Sequence, residues 1–225
     1  MNKINVLMLA AGQGSRFKEY TTTPKPLIDV LGVPMYEHTL GFLNIKNNYE
    51  VHVLFQKEFA PKNNNYNIHT VDYYTEGAAE SAYTVIKNYR DIPWLIMDCD
   101  AVIHTDKIEY TDQSSILIEK IVNFDLRSSY STIKNNKILC TAEKQVISSN
   151  RNVGMYYWSN GEIFCNSYER VKSIDYKVNG EYYIAPLYNF AIMNGETVIP
   201  NYVNNFRPIG TPVDLESYIN ENNIP

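Results

Sequence analysis

Ile4-Asn5-Val6-Leu7-Met8-Leu9-Ala10-Ala11-Gly12-Gln13-Gly14-Ser15-Arg16-Phe17, followed by Thr23-Pro24-Lys25-Pro26-Leu27-Ile28, is the stretch whose reading decides the fold. Ile4–Leu9 is an apolar run of strand length that ends in a glycine turn carrying an arginine. Glycines let backbone N–H groups approach a polyphosphate closely. Arg16 and Lys25 add positive charge that can offset the phosphates. The prolines beside Lys25 restrict its backbone, so the ammonium is presented from a stiffened segment.

A dinucleotide fingerprint is the rival for this segment. Gly12 and Gly14 supply the first two glycines of G-x-G-x-x-G, but Phe17 stands where the third belongs. That glycine normally permits close helix–strand packing. No amphipathic helix follows either, because Thr21-Thr22-Thr23-Pro24-Lys25-Pro26 reads as extended polar loop. A lone G-x-G is compatible with a structural turn; Arg16 and the proline-flanked Lys25 at this spacing favour a phosphate loop.

The 225 residues fit one domain, 1–225, with 44% hydrophobic residues, the composition of an ordinary globular protein. A net charge of −5 argues against a nucleic-acid-coating surface. An acidic protein can still bind an anionic nucleotide, but only through local cations and a metal. Ile4–Ala11 is too short for a signal peptide, and no apolar run approaches membrane-spanning length, so no membrane contact is expected and the cytoplasm is the expected location. Cys99, Cys140 and Cys165 form no C-x-x-C pair, and the four histidines show no zinc-ligand spacing.

Periodicity predicts strands at Ile4–Leu9, Val51–Phe55, Asn67–Tyr73 and Trp94–Met97, with helices at 34–44 and Gly77–Tyr89. The second half predicts strands at Ser114–Glu119, Ser129–Ile133, Ile138–Thr141 and Val153–Trp158. Helices at Gly161–Val171 and Glu181–Met193, a strand at Thr197–Val203 and a closing helix at Val213–Asn220 follow. The alternation of strand and helix in the first half points to an α/β fold, with a mostly parallel mixed sheet.

Asp98 and Asp100 stand at i and i+2 at the C-terminal end of a predicted strand, where open α/β sheets place their ligands. Such oxygen donors suit Mg²⁺, which takes one or two carboxylates plus phosphate oxygens. A solvated turn is the plain alternative. Thr75-Glu76-Gly77-Ala78-Ala79-Glu80-Ser81-Ala82 is a small-residue entry to a helix, and its acidic residues also suit an ordinary helix N-terminus.

Taken together, these motifs resemble the nucleotidyltransferases that join NTPs to sugar 1-phosphates or small phosphorylated alcohols, including the compact phosphocholine-type cytidylyltransferases. The resemblance implies a single-domain, Rossmann-like three-layer sandwich. It implies Arg16 and Lys25 as catalytic cations, and Leu9, Ala10, Ala11, Gly12, Gln13, Gly14 and Ser15 as the phosphate loop. Glu76, Gly77, Ala78 and Ser81 would lie against the nucleobase, with Glu80 a tempting acceptor for a base amino group. Asp100 would hold Mg²⁺, with Asp98 assisting beside the nucleotide. Lys144, within Ala142-Glu143-Lys144-Gln145, would reach the acceptor phosphate, with Gly154 and Glu181 lining the acceptor pocket.

Two departures stand out. Gln145 replaces the proline of the family's Glu-Lys-Pro element, and a solvated Glu-Lys pair is the alternative there. Pro208 stands where many relatives carry a second metal carboxylate, two residues before Gly210. The implied activity is transfer of NMP from an NTP to a phosphorylated small molecule, with pyrophosphate released, and the compact length favours CTP. A homo-oligomer is compatible with the resemblance. A metal-dependent glycosyltransferase shares the Asp-x-Asp motif but needs no triphosphate loop, and an inactive regulatory homologue would account for Pro208.

Overall fold

The computed structural model describes residues 4–43, 49–62, 65–104 and 110–222. Strand β1 (Ile4–Ala10) is central, and its side chains alternate between two cores. Leu7 and Leu9 face helices α2 (Ala78–Ile86), α3 (Gly161–Ser173) and α4 (Leu187–Met193). Val6, Met8 and Ala10 face the other side, where α1 (Met35–Leu40) packs. Helices on both faces explain why β1 reads as a continuous apolar run.

β4 (Tyr49–Gln56) and β6 (Trp94–Asp98) flank β1 in parallel, and β5 (Asn67–Val71) adds to β4. Beyond β6 the direction reverses. β11 (Asn150–Trp158) pairs antiparallel with β6, and β8 (Ser114–Lys120), β9 (Ser129–Lys134) and β10 (Lys137–Glu143) build outward from it. β12 (Val198–Tyr202) returns parallel to β8. The result is an α/β fold around one mixed sheet, as the sequence pattern predicts.

Three smaller features position the site. A hairpin of β2 (Asp29–Val30) and β3 (Val33–Pro34) leads into α1. β7 (Ala101–Val102) pairs antiparallel with β13 (Arg207–Pro208), which carries the chain into α5 (Pro212–Asn222). Phe17, Ile28, Val30, Met35, Val102, Ile209, Leu215 and Tyr218 form a third apolar cluster beneath this junction.

The structure corrects several expected elements. The helix expected over Glu181–Met193 begins only at Leu187. The backbone of Tyr182 is engaged elsewhere: its N–H donates to the Glu76 carbonyl (2.7 Å) and its carbonyl accepts from Ala79 N–H (3.0 Å). Pro186 further disfavours helical geometry at Ala185. The helix expected at 34–44 covers Met35–Leu40, and Asn44 lies outside the described residues. The helix expected to reach Tyr89 stops at Ile86. Of the stretch expected as extended loop, residues 21–24 stay irregular, while its end tightens into a single 3₁₀ turn at Lys25–Leu27.

Trp158 is fully buried and stacks on Tyr188 with centroids 4.0 Å apart, where β11 meets α4. Trp158→Ala should destabilise the fold by about 3–5 kcal/mol, measured as a lowered urea midpoint with unchanged slope.

Candidate active site

The parallel strands end on one side of the sheet, and there β1 passes into the glycine loop. The register places Leu9 beside Asp98, so the loop and the Asp98-Cys99-Asp100 segment leave the sheet together. Gln56, at the end of β4, donates its amide to the carbonyls of Ala11 (2.9 Å) and Tyr73 (3.2 Å). It thereby ties the start of the loop to the segment that precedes Thr75.

Two adjoining cavities open at this edge. One, of about 540 Å³, is lined by Leu9, Ala10, Ala11, Gly12, Gln13, Gly14, Ser15, Glu76, Gly77, Ala78, Ser81 and Asp98. These are the residues that the resemblance implies for the nucleotide. The other, of about 390 Å³, is lined by Arg16, Lys144 and Gly154. Lys25, Asp98, Asp100 and Glu181 line both. Tertiary structure thus brings these residues to two adjoining cavities that share part of their lining.

At the boundary, the Lys25 ammonium pairs with Asp100 Oδ2, with both side chains about four-fifths buried. Burial disfavours the charge on Lys25, but Asp100, then Cys99 and Asp98, outweigh it and hold the ammonium above the ordinary lysine range. Burial likewise opposes ionisation of Asp100, yet Lys25, with help from Arg16, keeps its carboxyl below the usual range. Asp98 behaves oppositely. Burial, and then repulsion from Asp100, push it up to about 7. Lys25 is therefore part of a buried pair, not the surface lysine its polar loop suggests.

Both carboxylates rest on glycines from distant parts of the chain. Gly154 has φ of 78°, at the irregularity in β11, and a β-carbon there would lie 2.7 Å from Asp98 Oδ2. Gly154 is thus a seat for Asp98 as well as a wall of the second cavity. Among the described residues, no His, Cys, Asp or Glu cluster of three or more is of a kind to hold a metal. Asp98 and Asp100 nevertheless lie near enough for each charge to repel the other, and that pair of oxygen donors fits a divalent cation that draws its remaining ligands from phosphate and water. Pro208 pairs with Ala101 in β13 and supplies no carboxylate.

The nucleobase-side acids are held by partners. Glu76 pairs with Lys172 and Lys177, while Glu80 accepts from the Glu76 N–H (2.5 Å) and pairs with Lys172. This corrects the reading of Glu80 as an acceptor for a base: its carboxylate is turned to the protein's own groups. Ser81 instead shares a hydrogen bond with Thr75 (2.6 Å).

In the second cavity, Lys144 takes a left-handed backbone with φ of 53°, and its ammonium bonds to the Tyr183 hydroxyl. Sequence reasoning missed Glu143, Arg127, Arg151, Tyr156 and Tyr183, all of which line this cavity. Burial, against the pull of Lys144, pushes Glu143 up to about 8. Arg151 pairs with Glu119 and lies over the Phe206 ring at 4.8 Å. Arg127 links Asp125 to Asp214 at the start of α5. Tyr183 had one signal in the sequence, its i+2 spacing from Glu181; Arg127 comes from the turn before β9, and Glu143, Arg151 and Tyr156 from strands whose pairing no local pattern reveals.

Residues 6–110 match the MobA-like NTP transferase domain. The match covers a little under half of the 225 residues and is to that stretch alone. The fold agrees across the chain: a nucleoside-diphosphate-sugar pyrophosphorylase from Vibrio cholerae superposes with a TM-score of 0.80 at 19% identity, covering 96% of this chain and 99% of that one. A CTP:phosphocholine cytidylyltransferase from Streptococcus pneumoniae gives 0.73 at 15% identity, covering 97% and 98%. In sequence, a choline-phosphate cytidylyltransferase from Haemophilus influenzae is 51% identical over 45 residues. That match spans 20% of this chain and only 19% of the relative's length.

Two outcomes follow from these electrostatics. Lys25→Ala leaves the Asp100 carboxylate without its partner and should cost about 1–3 kcal/mol of stability, a loss that Lys25→Ala should not inflict on an Asp100→Asn background in chemical denaturation. Glu143 is held protonated in the fold up to a higher pH than in the unfolded chain, so its contribution to stability is present below the ordinary carboxylate range and is lost as pH rises towards about 8. Thermal melts of Glu143→Gln should match the parent near pH 4 and exceed it increasingly up to pH 8.

Proposed function

We propose that this protein transfers NMP from an NTP to a phosphorylated small molecule and releases pyrophosphate. The observation that carries the reading is the pair of adjoining cavities that share Lys25, Asp98 and Asp100: the first edged by the glycine loop, the second by Lys144. Such a cleft can hold two anions side by side with cationic groups between them. On this reading the described residues serve as one nucleotidyltransferase domain.

Phosphoryl chemistry of this kind asks for positioning and charge compensation more than covalent participation. Arg16 and Lys25 neutralise the triphosphate, and the amides of the glycine loop line its path. Lys144 holds the acceptor phosphate for in-line attack on the α-phosphorus. Lys25 must leave Asp100, at least in part, to reach a phosphate oxygen. Asp100 and Asp98 are the residues that would hold Mg²⁺. When bound, that ion neutralises charge on the α-phosphate.

We read the nucleotide as CTP and the acceptor as a phosphorylated alcohol with a cationic group, of the phosphocholine kind. The Haemophilus influenzae relative supports this, as do the carboxyls of Glu143 and Glu181 with the Tyr156 ring in the second cavity. Such substrates place the reaction in the cytoplasm. No helix among the described residues is long and apolar enough to cross a membrane.

With CTP, phosphocholine and Mg²⁺, the protein should release pyrophosphate and form a diphosphate-linked product; chelator should abolish turnover. The reaction should also run backwards from that product and pyrophosphate, since one phosphoanhydride replaces another. A protein that binds nucleotide sugars but no NTP in the presence of Mg²⁺, by titration calorimetry, would end this reading.

A further inference from the structure

β13 lies against β7 immediately after Asp100, pairing Arg207 with Val102 and Pro208 with Ala101. The Ile209 N–H then donates to the Asp100 carbonyl at 2.9 Å. This pairing carries Gly210 directly over the Asp100 side chain. A β-carbon at Gly210 would sit 3.2 Å from Asp100 Cγ and overlap Oδ2, the oxygen that pairs with Lys25.

The strand has little freedom to retreat. Ile209 is fully buried in the apolar cluster with Leu215 and Tyr218. On the other side, the Thr211 hydroxyl accepts from the Asp214 N–H (3.2 Å), and the Thr211 carbonyl accepts from Leu215 N–H (2.9 Å) as α5 begins. Gly210 lies outside the left-handed region, so a larger residue there meets no backbone penalty. The chain has a glycine at this point because of the space the carboxylate occupies.

We propose that Gly210 is a positioning residue whose missing β-carbon keeps the Asp100 carboxylate between Lys25 and Asp98. Its consequence for metal binding rests on the nucleotidyltransferase reading; its contact with Asp100 does not. With a methyl group at Gly210, the carboxylate must rotate, which breaks its pairing with Lys25 and separates it from Asp98. With the Asp100 carboxylate removed, the nearest atom the same methyl group meets is the Asp100 β-carbon, at an ordinary 3.8 Å.

The test is a double-mutant cycle of Gly210→Ala and Asp100→Ala, read by thermal and urea unfolding. Gly210→Ala should lower the melting temperature in the parent and have little effect in the Asp100→Ala background. Equal losses in both, or a double variant that fails to fold when Asp100→Ala alone folds, would overturn the proposal, because a purely structural glycine costs the same with or without the carboxylate. Mn²⁺ affinity, measured by electron paramagnetic resonance with CTP present, should fall about 10- to 100-fold in Gly210→Ala. Unchanged affinity would overturn the positioning role. A parent that binds no Mn²⁺, alongside a cycle showing strong coupling, would reject the metal reading of Asp100 while upholding the contact.

Discussion

The ion pair between Lys25 and Asp100 joins two segments that the sequence keeps far apart: the stiffened turn after the glycine loop and the end of β6. Each partner is costly alone. A mostly buried ammonium or carboxylate pays heavily for lost water, and only the opposite charge offsets it. The pair therefore fixes where the loop sits relative to the sheet edge. Asp98, raised by burial and then by repulsion from Asp100, moves towards neutrality, while Lys25 keeps Asp100 ionised. Two adjacent carboxylates with opposite shifts form a site prepared for further positive charge.

The sheet explains why the cleft has two compartments. Strands β6, β1, β4 and β5 run parallel and send their ends, with the glycine loop and the Asp98-Cys99-Asp100 turn, to one edge. β11 reverses direction beside β6 and brings β9 and β10 with it, so the second compartment is walled by antiparallel strands. The backbone bonds between Tyr182 and the start of α2 close the cleft on the nucleotide side, and Tyr183, next in the chain, reaches Lys144 in the second compartment. One short segment thus touches both halves.

Several cations of the second compartment already have partners within the protein. Arg151 and Arg127 are committed to carboxylates of the protein, and the Lys144 ammonium leans on Tyr183. Glu143 keeps its proton at a pH where an exposed carboxyl loses it. Binding a cationic group there would favour ionisation of Glu143, whereas an uncharged polyol would leave it protonated. The chemistry of the acceptor and the protonation of this one residue are linked by the same desolvation.

What the sequence by itself determined is local or nearly so. The apolar run Ile4–Ala10, the turn of Gly12 and Gly14, Arg16, Lys25, and the Asp98-x-Asp100 spacing all lie in short windows; the run forms the central strand, and the other residues line the two cavities at its end. Helices and strands were legible wherever periodicity alone governs, as in Gly161–Ser173 and Trp94–Asp98. Only the tertiary structure decided the rest. Residues 181–186 failed to become helix because a distant helix start claims the backbone of Tyr182. Lys25 proved buried because a carboxylate from the turn after β6 folds onto it, and Glu80 turned to Lys172 because α3 packs beside α2. Gly154 and Gly210 are required by carboxylates more than fifty residues away in sequence. Burial and long-range pairing are properties of the assembled sheet, and no window of sequence contains them.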